Sequence, residues 1–148
     1  MFDRMSVFAR ESMAHAHTLA SGFHHDRISC EHVLLGAIRT PAGSRCLDAL
    51  GVSESRLAEA VERRIVPGER VPSRSMLPFG RDAERVLKYA RDQAKLRATL
   101  IDVSDIIAGL FRERDSIAAQ ALAECGVTEA SLARLRSELP TAQEDQRG

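Results

Sequence analysis

An internal duplication constrains the fold of this chain more than any other feature. Residues 47–57, LDALGVSESRL, recur as residues 122–132, LAECGVTEASL. Upstream of each copy, residues 31–39, EHVLLGAIR, align with residues 104–112, SDIIAGLFR. The spacing of roughly 73–75 residues is too long for a solenoid repeat and suits a duplicated helical subdomain. We therefore expect two halves related by a pseudo-twofold axis, with a similar groove in each, which favours a binding module over a single catalytic centre.

Each half has the sequence pattern of four helices. Apolar residues recur at intervals of three and four, the period of one buried helix face. The predicted N-cap residues have a side-chain oxygen that can accept a free backbone N–H; they are Ser29, Ser53, Asp102 or Ser104, and Thr128. Gly51 and Gly126 are expected to end helices, and Pro41 to Gly43 to break the chain before a third helix that starts at Ser44. No segment has the pattern of a strand, so the predicted fold class is all-α, with two four-helix repeats and eight helices.

The same pattern predicts the domain organisation. Residues 1–66 form the first repeat and residues 79–139 the second, together one compact domain. Between them lies a predicted linker, residues 67–78, which contains three prolines and one glycine. The polar tail, residues 140–148, is expected to be disordered.

Charge and composition exclude several classes of function. The formal net charge is zero and there is no extended basic block, so we expect no nucleic-acid partner and no binding to anionic membranes. No apolar run approaches the ~20 residues that span a bilayer, and the start of the chain lacks a signal-peptide pattern. Three widely spaced cysteines indicate a reducing cytoplasm rather than a disulfide framework.

The candidate metal and catalytic side chains form no convincing site. Histidines and a cysteine cluster near the start of the predicted second helix: His15, His17, His24, His25, Cys30 and His32. Zinc needs about four convergent ligands, but His15 and His17 would point to different helix faces and the second repeat has no histidine. We expect His32 to bond to the backbone or a neighbour in the first turn of a buried helix, and Cys30, which has no placed base, to be inert. We also find no nucleophile elbow, P-loop or HExxH motif. We therefore predict no catalytic residue, metal or cofactor; a metal or redox sensor remains the alternative.

Several motifs resemble the double Clp repeat, the N-terminal domain of ClpC- and ClpA-type AAA+ unfoldases. They are MFDRM at 1–5, ISCEHVLLG at 28–36, LGV at 50–52 and LPF at 77–79, and the resemblance extends to about residue 139. It implies two four-helix repeats packed about a pseudo-twofold axis. It also implies a role in docking adaptors and substrates onto an unfoldase–protease machine.

The resemblance also suggests specific ligand-binding residues. Some members of the family recognise phosphorylated arginine through a hydroxyl near the start of the first helix and the Glu of the EH motif. In the first repeat these positions are Ser6 and Glu31, which we expect to share one pocket. In the second repeat they are Gly80 and Ser104, so both polar groups are lost and we expect phosphoarginine at one site at most.

A second ligand class follows from two aromatic residues. Cyclic-peptide antibiotics bind some relatives through aromatic side chains that match Phe2 and Phe79. A basic residue often found there is Glu84 in this chain, which weakens that inference. Phe2 and Phe79 are equally expected to cover the seam between the repeats.

These observations predict a non-enzymatic binding protein of the bacterial cytoplasm, with Phe2, Ser6, Glu31 and Phe79 on its ligand face. Its expected partners are Clp unfoldase or protease components, adaptors or substrate proteins. One alternative is a decoy that sequesters cyclic-peptide antibiotics; a transcription-linked sensor is another, although no basic recognition helix is evident. Because the 148 residues contain no ATPase motif, we expect a free-standing protein rather than a fragment excised from an unfoldase.

Overall fold

Eight α-helices make up the described part of this computed structural model, which comprises residues 2–72 and 75–138, without the side chain of Phe2. They follow a short 3-10 helix, Phe2–Arg4, and are α1 Val7–Gly22, α2 Cys30–Ile38, α3 Pro41–Leu50, α4 Glu54–Glu62, α5 Arg81–Arg97, α6 Val103–Arg112, α7 Ile117–Glu124 and α8 Glu129–Glu138. The only strand-like pairings among these residues are two isolated bridges. The prediction of an all-α fold with eight helices is confirmed. The predicted disordered tail lies outside the described residues.

Local sequence signals set most of the helix ends. The side chains of Ser53, Asp102 and Thr128 each accept the backbone N–H three residues further on, as predicted for N-caps. Asp102, rather than Ser104, therefore caps α6. Gly51 and Gly126 follow helix ends with φ angles of 71° and 92°, which glycine adopts at no steric cost.

The start of α3 corrects one prediction. The helix begins at Pro41 and not at Ser44, because Thr40 caps it by accepting the N–H of Gly43 at 3.0 Å. Proline fits the first helical position, where no intrahelical acceptor awaits its missing N–H. Gly43 lies in the first turn of this helix. The position requires glycine, because a Cβ there would lie 1.9 Å from the carbonyl oxygen of Ala37.

The hydrophobic core is a single cluster with α2 and α6 at its centre. Every residue of α2 except Glu31 is buried, and so is every residue of α6 except Arg112. A glycine in each central helix allows close packing on the helix before it. A Cβ at Gly36 would lie 2.5 Å from the backbone oxygen of Ser12 in α1, and one at Gly109 would lie 3.1 Å from Val86 in α5. The same helix pair is therefore built twice.

The segment that precedes the first helix of each repeat pairs with the other repeat. Met5, just before α1, forms a parallel bridge with Ile101, just before α6; Phe79, just before α5, forms the matching bridge with Ile28, just before α2. In each bridge the isoleucine carbonyl accepts an N–H from the residue that caps the incoming helix, at 2.9 and 2.8 Å. The start of each repeat's first helix is thus held by the other repeat.

Among the described residues, no helix combines the length and the apolar character that crossing a membrane requires.

Candidate functional site

A groove of about 480 Å³ lies where the segment before α5 crosses α1. We call it the apolar groove; it is lined by Arg10, Met13, Ala14, His17, Ile28, Met76, Leu77 and Phe79. The segment is fixed in place by the backbone N–H of Leu77, which donates to Nε2 of His17 at 3.1 Å. Met76 is 75% exposed at the rim. A concave, largely apolar surface with a few polar groups is the usual form of a ligand site.

An acidic corner adjoins this groove at the start of α2. The carboxylate of Asp82 in α5 accepts the N–H of Cys30 at 3.3 Å and the N–H of Ala83 at 2.7 Å. One intramolecular carboxylate therefore accepts one free N–H from the first turn of α2 and one from that of α5, positions that would otherwise attract an anion. Burial, and then the charge of Asp82, raise the pKa of the neighbouring Glu31. The corner consequently favours a cationic group over a phosphate.

A chain of hydrogen bonds holds His32 in its neutral form. The N–H of Ser29 donates to Nδ1 of His32 at 2.9 Å, so the proton of the neutral ring resides on Nε2. Nε2 lies 2.7 Å from Nδ1 of His25, whose Nε2 lies 2.8 Å from the carbonyl oxygen of Val66. Burial, followed by the charge of His25, lowers the pKa of His32 to about 4. The prediction that His32 bonds to the backbone and a neighbour is confirmed.

The same residues include a possible set of metal ligands. The ligating atoms of His25, Glu31 and His32 lie within 4.8 Å of one another. Two imidazole nitrogens on one tetrahedral zinc ion, at about 2.0 Å each, stand about 3.3 Å apart. Because the facing nitrogens of His25 and His32 are 2.7 Å apart, a metal held by both rings would first have to break their hydrogen bond.

Ser6 and Glu31 do not share a pocket, which corrects the predicted pairing. Ser6 is fully buried at the start of α1, where its hydroxyl accepts the N–H of Ala9 at 3.2 Å and its own N–H donates to Ile101. Glu31 lies at the other end of α1, because the contact between His25 and His32 ties the start of α2 to the turn after α1. At 1.5 Å per residue, α1 separates the two ends by about 24 Å.

The two bridges between the repeats explain this separation. The bridge at Ile28 sets the start of α5, with Gly80, beside the start of α2, with Glu31. The bridge at Ile101 sets Ser6 beside the start of α6, which carries Ser104. Each corner therefore retains one of the two polar groups that the resemblance implies for phosphoarginine: the carboxylate in one and the hydroxyl in the other.

The two aromatic candidates lie on different bridges. Phe79 is half-buried, packs against the core and lines the apolar groove. Phe2 belongs to the 3-10 helix Phe2–Arg4, which leads into the bridge between Met5 and Ile101; its side chain lies outside the described part of the chain. Of the two, Phe79 is the residue that the structure places in a groove.

Cys30 is fully buried at the start of α2. Burial and the neighbouring Asp82 carboxylate raise the pKa of its thiol far above the ordinary range. A thiol nucleophile needs the thiolate form, so this environment disfavours a redox or nucleophilic role.

A buried carboxylate network in the second repeat escaped the sequence analysis. Asp105 is fully buried and binds Arg97 through both oxygens, at 2.7 and 2.8 Å, and also Arg136 of α8. Its second oxygen also accepts the N–H of Asp102, which makes a capping box. Asp105, three residues after the N-cap Asp102, is a local sequence signal for a capping box. Nothing local indicated the two arginines, because they come from α5 and α8.

Comparison with known families supports the helical architecture described above. The family model of the Clp repeat (R) N-terminal domain matches residues 4–125. The chain belongs to this family. It is 30% identical over 126 residues to the ATP-dependent Clp protease ATP-binding subunit ClpC of Staphylococcus saprophyticus, a match that covers 83% of this chain and 15% of that protein. The resemblance inferred from EHVLLG and the duplication is therefore confirmed, and the chain corresponds to a small part of its relative's length.

Solved structures support the fold. The N-terminal domain of the chaperone ClpD from Arabidopsis thaliana superimposes with a TM-score of 0.70 at 24% identity, covering 95% of this chain and all of that one. The Hsp104 N-terminal domain from Candida albicans gives a TM-score of 0.77 at 15% identity, covering 90% and 89%. At these identities the likeness establishes the arrangement of helices.

Proposed function

We propose that this Clp-repeat chain is a non-enzymatic docking module that binds an apolar segment of a protein or peptide in the apolar groove. The main support for this proposal is the groove itself, which is concave, mostly apolar and fixed by the hydrogen bond from Leu77 to His17. Met76 remains exposed at its rim, where an incoming side chain would cover it. The acidic corner beside the groove favours a cationic residue next to the apolar segment.

Binding rather than chemistry fits the titratable groups near the groove. The Cys30 thiol is held protonated by its surroundings, and the nitrogens of His25 and His32 are used in hydrogen bonds to each other and to the backbone. By family membership, the partners we propose are substrates, adaptors or other components of a Clp unfoldase–protease in the bacterial cytoplasm. In this role the chain would act as an adaptor or modulator.

A matched pair of surface variants tests this proposal. Fluorescein-labelled β-casein, an unfolded polypeptide, is titrated with the protein and followed by fluorescence anisotropy. Met76→Asp places a charge at the rim of the groove, whereas Leu96→Asp alters a similarly exposed apolar residue outside the groove, at 81% exposure against 75%. We expect Met76→Asp to weaken binding at least tenfold and Leu96→Asp to change it less than twofold. Equal effects of the two variants would contradict docking in the groove.

For phosphoarginine we propose at most one site, next to Glu31. That carboxylate could bind the guanidinium part of the ligand, although Asp82 already occupies the adjoining helix N-termini. Calorimetric titration with free phosphoarginine should show no more than one site, and Glu31→Gln should remove its heat. Two equivalent sites would contradict the proposal of a single site at Glu31.

The decoy role is the second candidate, and the position of Phe79 in the apolar groove favours it. A cyclic-peptide antibiotic held there would compete with β-casein. Recovery of unfoldase subunits or their substrates in a pulldown supports the adaptor role. Tight antibiotic binding without any protein partner supports the decoy.

A further inference from the structure

A second groove, of about 800 Å³, lies at the other bridge between the repeats. We call it the basic groove; its lining residues are Asp3, Arg4, Arg91, Ala94, Lys95, Ala98, Thr99, Leu100 and Ile101. It corresponds to the apolar groove under the pseudo-twofold relation. Ile101 takes the place of Ile28 in the matching bridge, and Arg91 stands at the repeat spacing from His17. The duplication has therefore produced two related concavities with different chemistry.

Three cations meet around this groove. Arg91 and Lys95 are four residues apart on α5, so their side chains lie on the same helix face one turn from each other. Arg4 contributes a third charge from the 3-10 helix on the facing wall. Asp3 is the one acid among the lining residues. Arg91 also lies 3.8 Å from Asp92, but both side chains are about half exposed, and such a pair is weak and screened.

From these observations we infer that the basic groove binds an acidic peptide segment of a partner protein. Arginine guanidinium groups match carboxylates in a two-pronged geometry. A volume of about 800 Å³ is in the range of a peptide or drug-sized ligand rather than a single small anion. The segment would carry carboxylates spaced to meet Arg91 and Lys95 on one side and Arg4 on the other.

This inference goes beyond the proposed docking of apolar segments and uses a different groove. A single partner with an apolar stretch and an acidic stretch could engage both. Either interaction can also exist without the other, and the variants of one groove leave the other unchanged.

The test uses a fluorescein-labelled hexaglutamate peptide, with hexalysine as the opposite-charge control, at low ionic strength. Arg91→Gln with Lys95→Gln removes two charges from the groove. Arg39→Gln with Arg56→Gln removes two exposed charges that lie outside the groove. We expect the first pair to weaken hexaglutamate binding at least tenfold and the second pair less than threefold. We also expect Arg91→Gln with Lys95→Gln not to weaken the binding of hexalysine, and hexaglutamate binding to be lost in 0.5 M salt because exposed charges are screened.

Three results would overturn the inference: absence of hexaglutamate binding to the wild type, equal weakening by the two charge pairs, or loss of binding in Met76→Asp. Equal weakening would show that hexaglutamate is attracted by exposed cations in general and not by this groove. Loss in Met76→Asp would place the acidic peptide in the apolar groove. Because all four substituted cations are exposed, circular dichroism spectra should match the wild type in both double variants.

Discussion

Replacing His32 with Gln should make the stability of the protein less sensitive to acid. His32 is 1% exposed, and its neutral ring accepts the N–H of Ser29 while it contacts His25. Gln at the third position of a helix that starts with Ser is the usual capping-box residue. It can accept the same N–H from Ser29 without titrating. The substitution therefore removes a proton-binding group and keeps the cap.

The magnitude follows from the pKa of His32, which burial lowers from its ordinary value of 6.5 to about 4. Between these values the unfolded chain takes up a proton that the folded protein does not, so the free energy of unfolding falls as the pH falls. At about 1.4 kcal/mol for each pH unit, the full loss is about 3 kcal/mol, and about 2.5 kcal/mol of it has occurred by pH 4.5.

Urea unfolding monitored by circular dichroism at pH 7.5 and pH 4.5 measures this effect. The wild type should lose about 2.5 kcal/mol more stability than His32→Gln over that interval. Glu31 and Asp105, whose pKa values are raised by burial, act in the opposite direction. They are present in both proteins, so their contributions cancel in the difference. His15→Gln, which alters a histidine that is 37% exposed, should follow the wild type. An equal loss of unfolding free energy in wild type and His32→Gln would contradict a lowered pKa for His32.

Three further predictions follow from the packing. Gly36→Ala should destabilise the protein by about 1–3 kcal/mol because the new methyl group meets the α1 backbone. Gly109→Ala, whose new methyl group would lie 3.1 Å from Val86, should destabilise it less. Thermal unfolding of both variants measures the difference, and equal shifts of the midpoint would contradict it. Asp105→Ala should cost about 1–3 kcal/mol in urea unfolding, because the buried N–H of Asp102 loses its acceptor. Arg114→Ala, which breaks an exposed pair, should cost less than about 1 kcal/mol. Similar losses would argue against the buried network. In Cys125→Ala protein, which keeps only the buried Cys30 and Cys46, no thiol should react with Ellman's reagent until the protein unfolds, because Cys30 is buried and protonated. Rapid labelling in the native state would contradict this.

Helix ends and buried faces could be predicted because their signals are local. Ser53 and Gly51 set a cap and a helix end through contacts within a few residues, and the structure confirms both. The role of Pro41 is ambiguous from the sequence, because proline suits both a chain break and the first turn of a helix. Thr40 decides between them, since its hydroxyl caps α3 by accepting the N–H of Gly43.

The site was only partly predictable because its geometry depends on long-range pairing. The bridge between Phe79 and Ile28 joins residues 51 apart in the sequence, and no local sequence pattern predicts such a pairing between repeats. The sequence therefore predicts one pocket for Ser6 and Glu31, although they lie near opposite ends of α1. The role of Asp82 escaped notice for the same reason, since the α2 N–H that it accepts belongs to the other repeat.

The proposed docking of partners in the apolar groove can be located residue by residue. Backbone amide shifts of isotopically labelled protein, recorded during titration with unlabelled β-casein, test it most directly. We expect the largest shifts to cluster at the lining of that groove, around Met13, His17, Met76 and Phe79. Shifts spread evenly over the surface, or confined to helices remote from the bridge between Ile28 and Phe79, would contradict it.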